Sequence, residues 1–233
     1  MMKKLLTLIA CAIIAAGAQA QLVTSTSQSI TTVKKEKRSM WMVRVGVGTN
    51  NIKGDDLEDV VSAKAGYFLG IEYNTHGRRG GYYGLDFALT SRGFSYDGEG
   101  AVYDPSYRYS YRYGDLKYKQ VGHAFEFSPL IFGWKVNIAD SKFDIDPHIG
   151  IFLSVDYAGK QKGIELDGES YDDIPLGDIS NYWRLDVGLR AGVGVWFDNR
   201  YNLDLSYQHG FMGPDDSFDI KCKAFMVRLG YAF

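Results

Sequence analysis

The sequence predicts an all-β fold, an eight-stranded antiparallel up-and-down transmembrane β-barrel. Eight segments alternate apolar and polar residues with the period of two that is typical of strands. The spacers between them alternate between short and long, as they do in bacterial outer-membrane barrels. The composition, with 17 Tyr, 13 Phe, 27 Gly and only 5 Pro, favours strands joined by tight turns.

The alternation defines the bounds of each predicted strand. Short spacers follow the second, fourth and sixth segments, and longer ones follow the first, third, fifth and seventh. Residues 54–64 are compatible with one helical turn. The predicted strands are 40–48, 64–74, 82–95, 116–136, 142–158, 181–197, 201–209 and 221–233.

The two faces of the predicted strands differ sharply in chemistry. One face is apolar, with residues such as Val45 and Val47 in the first strand and Phe125, Phe127 and Ile131 in the fourth. The other face is rich in Gly, Ala, Arg and Asp and has almost no Lys. A lipocalin-like soluble barrel would place the apolar face inside, and an outer-membrane barrel would place it in lipid. Small residues interleaved with Arg and carboxylates suit a narrow, crowded interior, which favours the membrane barrel.

The charged residues of the polar face are candidates for an ionic network inside the barrel. Side chains largely fill the lumen of an eight-stranded barrel, so these charges are expected to pair. The alternative is a path for protons or small ions. The predicted network consists of Arg44, Glu72, Asp86, Glu126, Arg184, Asp186, Arg190, Asp204 and Arg228.

The first 38 residues predict secretion. Residues 1–20 combine two lysines, an apolar run and a terminal Ala-Gln-Ala, which is the pattern of a signal peptide. Residues 21–38 are polar and predict a flexible leader, and residues 39–233 form the barrel domain. An even strand number would place both termini in the periplasm and the long spacers outside the cell. The final strand alternates up to Phe233, as expected if it closes the barrel against the first strand.

Three stretches resemble the PorT-like outer-membrane β-barrel family of Gram-negative bacteria. "RLDVGLRAGVGVWFDNRYNLDLSYQHGF" (184–211) is similar to the penultimate hairpin of that family. "FEFSPLIFGWKV" (125–136) resembles its Glu-Ile-Pro-Leu strand, with Glu126 at the Glu position and Ser128 as an additional residue. "MVRLGYAF" resembles the signature that the barrel-assembly machinery recognises, which makes Phe233 an assembly signal. The resemblance implies a cell-envelope fold and location, but no single activity.

The stretch "YDPSYRYSYRYGD" (103–115) is the candidate contact surface. Tyrosine beside arginine can stack on sugar rings or pack against a protein. We therefore predict contact with an extracellular protein or a glycan. The alternative is a hairpin that continues beyond the membrane with its tyrosines in the interface belt. The candidate residues are Tyr107, Arg108, Tyr109, Tyr111, Arg112 and Tyr113.

The sequence offers weak support for catalysis. His209 lies near Asp215, Asp216 and Ser217, but nothing identifies a nucleophile with its base and orienting group. We predict no enzyme activity, no catalytic residue, no cofactor and no metal. The net charge of −2 argues against nucleic acid as a partner.

The predicted function is therefore that of a small integral outer-membrane protein with a surface-binding or envelope-structural role. Its predicted partners are outer-membrane lipid, the barrel-assembly machinery and an extracellular protein or glycan. Three alternatives stay open: an accessory subunit of a secretion or assembly complex, an enzyme that uses His209, and a periplasmic lipocalin-like carrier of a hydrophobic ligand.

Overall fold

A computed structural model describes residues 38–54, 59–77, 80–104, 110–138, 141–179, 182–213 and 220–233. The predicted signal peptide, and all of the predicted leader except Arg38, lie outside the described residues. No helix among those residues is long and apolar enough to cross a membrane. The strands are β1 (Arg38–Lys53), β2 (Val61–His76), β3 (Gly81–Asp104), β4 (Ser110–Trp134), β5 (Val136–Asn137), β6 (Phe143–Leu166), β7 (Glu169–Tyr171), β8 (Ile174–Pro175), β9 (Leu185–Phe197), β10 (Tyr201–Gly210) and β11 (Lys221–Ala232).

Eight of these strands form a closed antiparallel ring in the order β1, β2, β3, β4, β6, β9, β10, β11. β1 pairs with β11 from Met42 opposite Ala232 to Lys53 opposite Lys221. The amide of Phe233 also donates to the carbonyl of Trp41 at 2.9 Å. The short strands β5, β7 and β8 pair with β6 at its two ends. The predicted eight-stranded up-and-down barrel is thereby confirmed.

β3 and β6 are much longer than predicted, and β1, β2 and β4 also extend beyond their predicted bounds. β3, β4 and β6 have 24, 25 and 24 residues, because pairing continues through segments that the sequence analysis assigned to loops. The β3–β4 ladder runs up to Asp104 opposite Ser110, and the β4–β6 ladder up to Leu116 opposite Leu166. The helical turn suggested for 54–64 is absent from the part that is described, since β2 already begins at Val61.

Two tight turns use left-handed backbone conformations. Asp198 and Asn199, between β9 and β10, have φ angles of 54° and 55°, which fit a type I′ hairpin. Asp167 and Gly168 form a similar turn between β6 and β7, with φ angles of 52° and 83°. The Asp-Gly pair is a strong hairpin signal in the sequence, and it was missed in the prediction of a loop over 159–180.

The apolar face of the ring points outward. Val47 is 67% exposed, whereas Arg44 on the opposite face is only 2% exposed. The lipocalin-like arrangement, with an apolar interior, is therefore wrong. Aromatic pairs ring one end of this outer wall, such as Trp41 with Tyr73 and Tyr201 with Tyr231.

A β-bulge reverses the faces of β4 near its end. The β4–β6 register shifts between Phe127 and Leu130, where Ser128 and Pro129 supply the extra residue. Ile131 therefore faces the interior and is 2% exposed, although the sequence pattern predicted it on the outer face. A one-residue shift moves every later side chain to the other side of the sheet.

The outward apolar wall predicts how a charge placed in contact with lipid would change the stability of the barrel. We expect Val45→Arg, halfway along the exposed part of β1, to lower the free energy of unfolding in lipid vesicles by about 2–4 kcal/mol. Thr49→Arg, closer to the end of the wall, should cost only about 0–1 kcal/mol. Urea titrations of both variants test this, and equal costs would contradict a lipid-facing wall.

Candidate functional site: a closed lumen and an ordered sheet above it

Arg190 lies at the centre of the lumen. Its guanidinium contacts Asp86 at 3.0 Å and forms a second ion pair with Glu126. Gln208 also donates to Glu126, at 3.0 Å. Because all four side chains are buried, the paired charges fill space that water would otherwise occupy.

Two further ion pairs lie beside this centre. Arg44 contacts Glu72 at 2.7 Å, and Asn74 donates to the same carboxylate at 2.6 Å. Nε of Arg228 donates to Asp204 at 2.7 Å. All of these groups are buried, and their mutual pairing compensates for the loss of water.

One aromatic ring and one imidazole complete the charged core. The ring of Phe68 lies 5.0 Å from the Arg228 guanidinium and 5.7 Å from that of Arg190, so it contacts both cations through its face. His148 lies 3.2 Å from Asp204. A Cβ at Gly192 would lie 2.6 Å from Nε2 of His148, so only glycine leaves room for that ring.

The predicted member Arg184 is not part of the network. It is exposed and precedes β9, and its backbone carbonyl accepts from the amide of Asp156 at 2.9 Å. Asp186 pairs instead with Arg92 at 2.8 Å. The prediction missed Arg92, although it continues the even-numbered polar face of β3 after Asp86. The other eight predicted members all face the interior.

The end of the barrel where β1 begins and β11 ends is closed by an apolar cluster of Met40, Met42, Trp196 and Ala232. Trp196 donates to Asp146 at 2.8 Å. The Nζ of Lys135 lies 3.2 Å from the centre of the tryptophan ring. Neither Asp146 nor Trp196 was predicted as a site residue, although both lie on the polar face of their strands.

A small cavity of about 40 Å³ lies at the opposite end of the lumen. Its lining includes Arg92, Gln120, Asp156, Tyr182 and Asp186. Such a volume holds a few water molecules but no metabolite. The described part of the lumen is therefore mainly a packed ionic core.

Beyond this end, β3, β4 and β6 continue as a free-standing sheet, and β7 and β8 pair against β6. Its inner face has an apolar core of Leu116, Ile164 and Leu166. Tyr96, Val102, Tyr118, Tyr171 and Ile174 pack against it. We call residues 96–104, 110–120 and 160–175 the outer sheet. Its own core explains why this region is ordered without support from the lumen.

The outer face of the outer sheet presents tyrosines. Tyr111 is 60% exposed and Tyr113 is 79% exposed. Arg112 is engaged within the sheet, since it forms an ion pair with Glu169 and donates to the Tyr171 hydroxyl at 3.3 Å. The other candidate residues Tyr107, Arg108 and Tyr109 lie outside the described residues.

Two further ion pairs lie on the surface of the outer sheet. Lys117 donates to Asp97 at 2.9 Å, which raises the pKa of Lys117. Lys160 donates to Asp173 at 2.5 Å and lowers the pKa of that carboxyl. Both pairs are exposed and so contribute little to stability.

The histidine considered for catalysis lies on the outer wall of β10. His209 is opposite Lys223 on β11, and its ring lies 5.8 Å from that of Phe211. Asp215, Asp216 and Ser217 lie outside the described residues. Across the described ranges, no three His, Cys, Asp or Glu side chains are grouped to hold a metal ion.

No protein-family model and no curated protein matches the chain. Among solved structures, Ail, the attachment invasion locus protein of Yersinia pestis, matches with 14% identity and a TM-score of 0.43, over 84% of this chain and 99% of Ail. The outer membrane enzyme PagL matches with 14% identity and a TM-score of 0.44, over 82% of this chain and 98% of PagL. Neisserial surface protein A matches with 12% identity and a TM-score of 0.40, over 83% of this chain and 97% of that protein. These TM-scores are below 0.5, so the fold assignment rests on the strand pairing described above.

The ionic core makes Arg190 a sensitive position of the lumen. Arg190→Met should destabilise the folded barrel by about 3–5 kcal/mol, because it leaves Asp86 and Glu126 buried without their cation. Arg112→Met breaks the exposed pair with Glu169 and should cost about 0–1 kcal/mol. Urea unfolding in detergent or vesicles compares the two, and a small loss for Arg190→Met would contradict a dry ionic core.

Proposed function

We propose that this chain is an integral outer-membrane barrel that presents the outer sheet to the cell exterior and binds a partner there without catalysis. The exposed apolar wall and the closed hydrogen-bonded ring support insertion in lipid, because a membrane offers no partner for backbone polar groups. The filled lumen supports a binding function over transport.

Strand length supports one orientation of the barrel. A spanning β-strand needs about 9–11 residues. β3, β4 and β6 have more than twice that number, so about half of each strand extends beyond the lipid. The short turns and both ends of the ring lie at the opposite side, which we assign to the periplasm.

The exposure of Tyr111 and Tyr113 on an ordered sheet is the observation that carries the binding proposal. Tyrosine supplies a large, rigid contact area at low cost in side-chain entropy. The packed core around Leu116 supports the backbone of β4, which carries both tyrosines. An extracellular protein or a glycan is the class of ligand that fits such a surface.

The PorT-like resemblance extends the proposal to biogenesis. The stretch 184–211 contains the β9–β10 hairpin, and 226–233 contains most of the closing strand β11. Because β11 must pair with β1 before the ring is complete, we propose that the barrel-assembly machinery recognises this strand, with Phe233 as its signal.

Labelling of intact cells tests the orientation. In a Cys222→Ser background, Tyr113→Cys should react with a membrane-impermeant maleimide, because the position is highly exposed in the outer sheet. Lys142→Cys, just before β6 at the other end, should react only after the cells are broken. The protein should also migrate differently on a gel when boiled. The opposite labelling pattern would invert the orientation.

Glycan arrays and pull-downs with intact cells test the binding surface. Replacing Tyr111 and Tyr113 together with Ser should weaken binding at least about tenfold, as expected for contact tyrosines. The heat-dependent gel shift should remain. The matched control replaces Tyr201 and Tyr231, at the periplasmic end, and should bind normally. Equal binding by both double variants would show that the tyrosines of the outer sheet do not form the binding surface.

A further inference from the structure

Three lysines lie at the outer-sheet end of β2, β4 and β6, beyond the lipid-facing belt. Lys119 on β4 is directly opposite Lys162 on β6, so the two side chains are neighbours. Lys64 on β2 lies where the β2–β3 register shifts. Burial and the positive charges of Lys162 and Lys119 lower the pKa of Lys64, which places all three in one electrostatic group.

One member of this group lacks the neutralisation that neighbouring lysines have. Lys117 is bound to Asp97, and Lys160 is bound to Asp173. The Nζ of Lys64, by contrast, is enclosed and has no hydrogen-bond partner in the described part of the chain. An enclosed ammonium beside two like charges is costly unless an anion binds to it.

A hydrogen-bonded aromatic set lies below the lysines on the same strands. The Tyr67 hydroxyl is 3.0 Å from Nδ1 of His123, and the ring of Tyr157 is 6.4 Å from the His123 ring. His123 is four residues from Lys119 along β4, a distance of about 13 Å. Polar aromatic groups at this level are typical of the membrane–water interface.

An apolar groove continues from the aromatic set into the lipid-facing wall. Its volume is about 710 Å³, although the outside of a barrel is otherwise convex. Leu69, Phe125 and Val155 lie two residues from Tyr67, His123 and Tyr157 along their strands, past a register shift between His123 and Ala124. The lining includes Leu69, Phe87, Phe125, Phe127, Leu153 and Val155.

We propose that this wall is a binding site for one phosphorylated glycolipid of the outer leaflet, with its phosphates at Lys64, Lys119 and Lys162 and an acyl chain in the groove. Lysines near a membrane surface bind anionic headgroups. Tyr67 and His123 can hydrogen-bond sugar hydroxyls between the phosphates and the chain. The assignment rests on the proposed orientation, which places this end of the barrel in the outer leaflet.

Native mass spectrometry of the folded, detergent-extracted protein tests the site, with bisphosphorylated lipid A as the probe. The wild-type protein should retain one molecule. Replacing Lys64, Lys119 and Lys162 together with Gln should weaken binding roughly a hundredfold. Removing both phosphates from the probe should have a similar effect. The matched control replaces Lys53, Lys221 and Lys223, lysines at the same end on β1 and β11, and should bind like the wild type.

Three results would overturn the site. If the wild type and the variant of Lys64, Lys119 and Lys162 bind lipid A equally, these lysines do not bind its phosphates. If both triple variants bind equally weakly, the lipid is attracted only by the general positive charge of this end of the barrel. Equally tight binding of the bisphosphorylated disaccharide without acyl chains excludes the groove. The gel shift and the labelling of Tyr113→Cys, measured in the same preparations, separate these outcomes from a failure of the proposed orientation.

Discussion

The pairing of β1 with β11 is the constraint on which the rest of the structure depends. A lipid-facing sheet cannot leave an edge of unpaired amides and carbonyls, because the hydrocarbon offers them no partner. The ladder from Met42 to Lys53 removes that edge, and the apolar residues can then cover the outside. Closure with eight strands also sets the width of the lumen, which side chains must fill.

The narrow lumen explains the chemistry inside it. Arg190 bridges Asp86 and Glu126, and a guanidinium fork suits two carboxylates better than an ammonium does. Glycine, as at position 192, makes room for large neighbouring groups such as the His148 ring. Because the described interior is largely filled, we place function on two described surfaces, the outer sheet and the lipid-facing wall. The tyrosines of the outer sheet and the lysines above the groove lie on these two surfaces.

The errors of the sequence prediction have local causes. β3, β4 and β6 were predicted too short, because their outer halves have polar residues on the exposed face and the contrast between the faces fades. Ile131 was placed on the wrong face, because Pro129 and its neighbour form a bulge that shifts the register by one residue. Arg184 was assigned to the lumen from its even number alone, but β9 begins only at Leu185.

The sequence by itself determined the number of strands, their alternating faces and the polar residues of most of the ionic core. These features follow from a period of two, which is a local property of the backbone. Only the tertiary structure decided that Asp186 pairs with Arg92, that Lys119 lies opposite Lys162, and that an apolar groove runs below Tyr67 and His123. Such partnerships join residues far apart in the chain, and they depend on ring closure and on bulges that periodicity alone does not reveal.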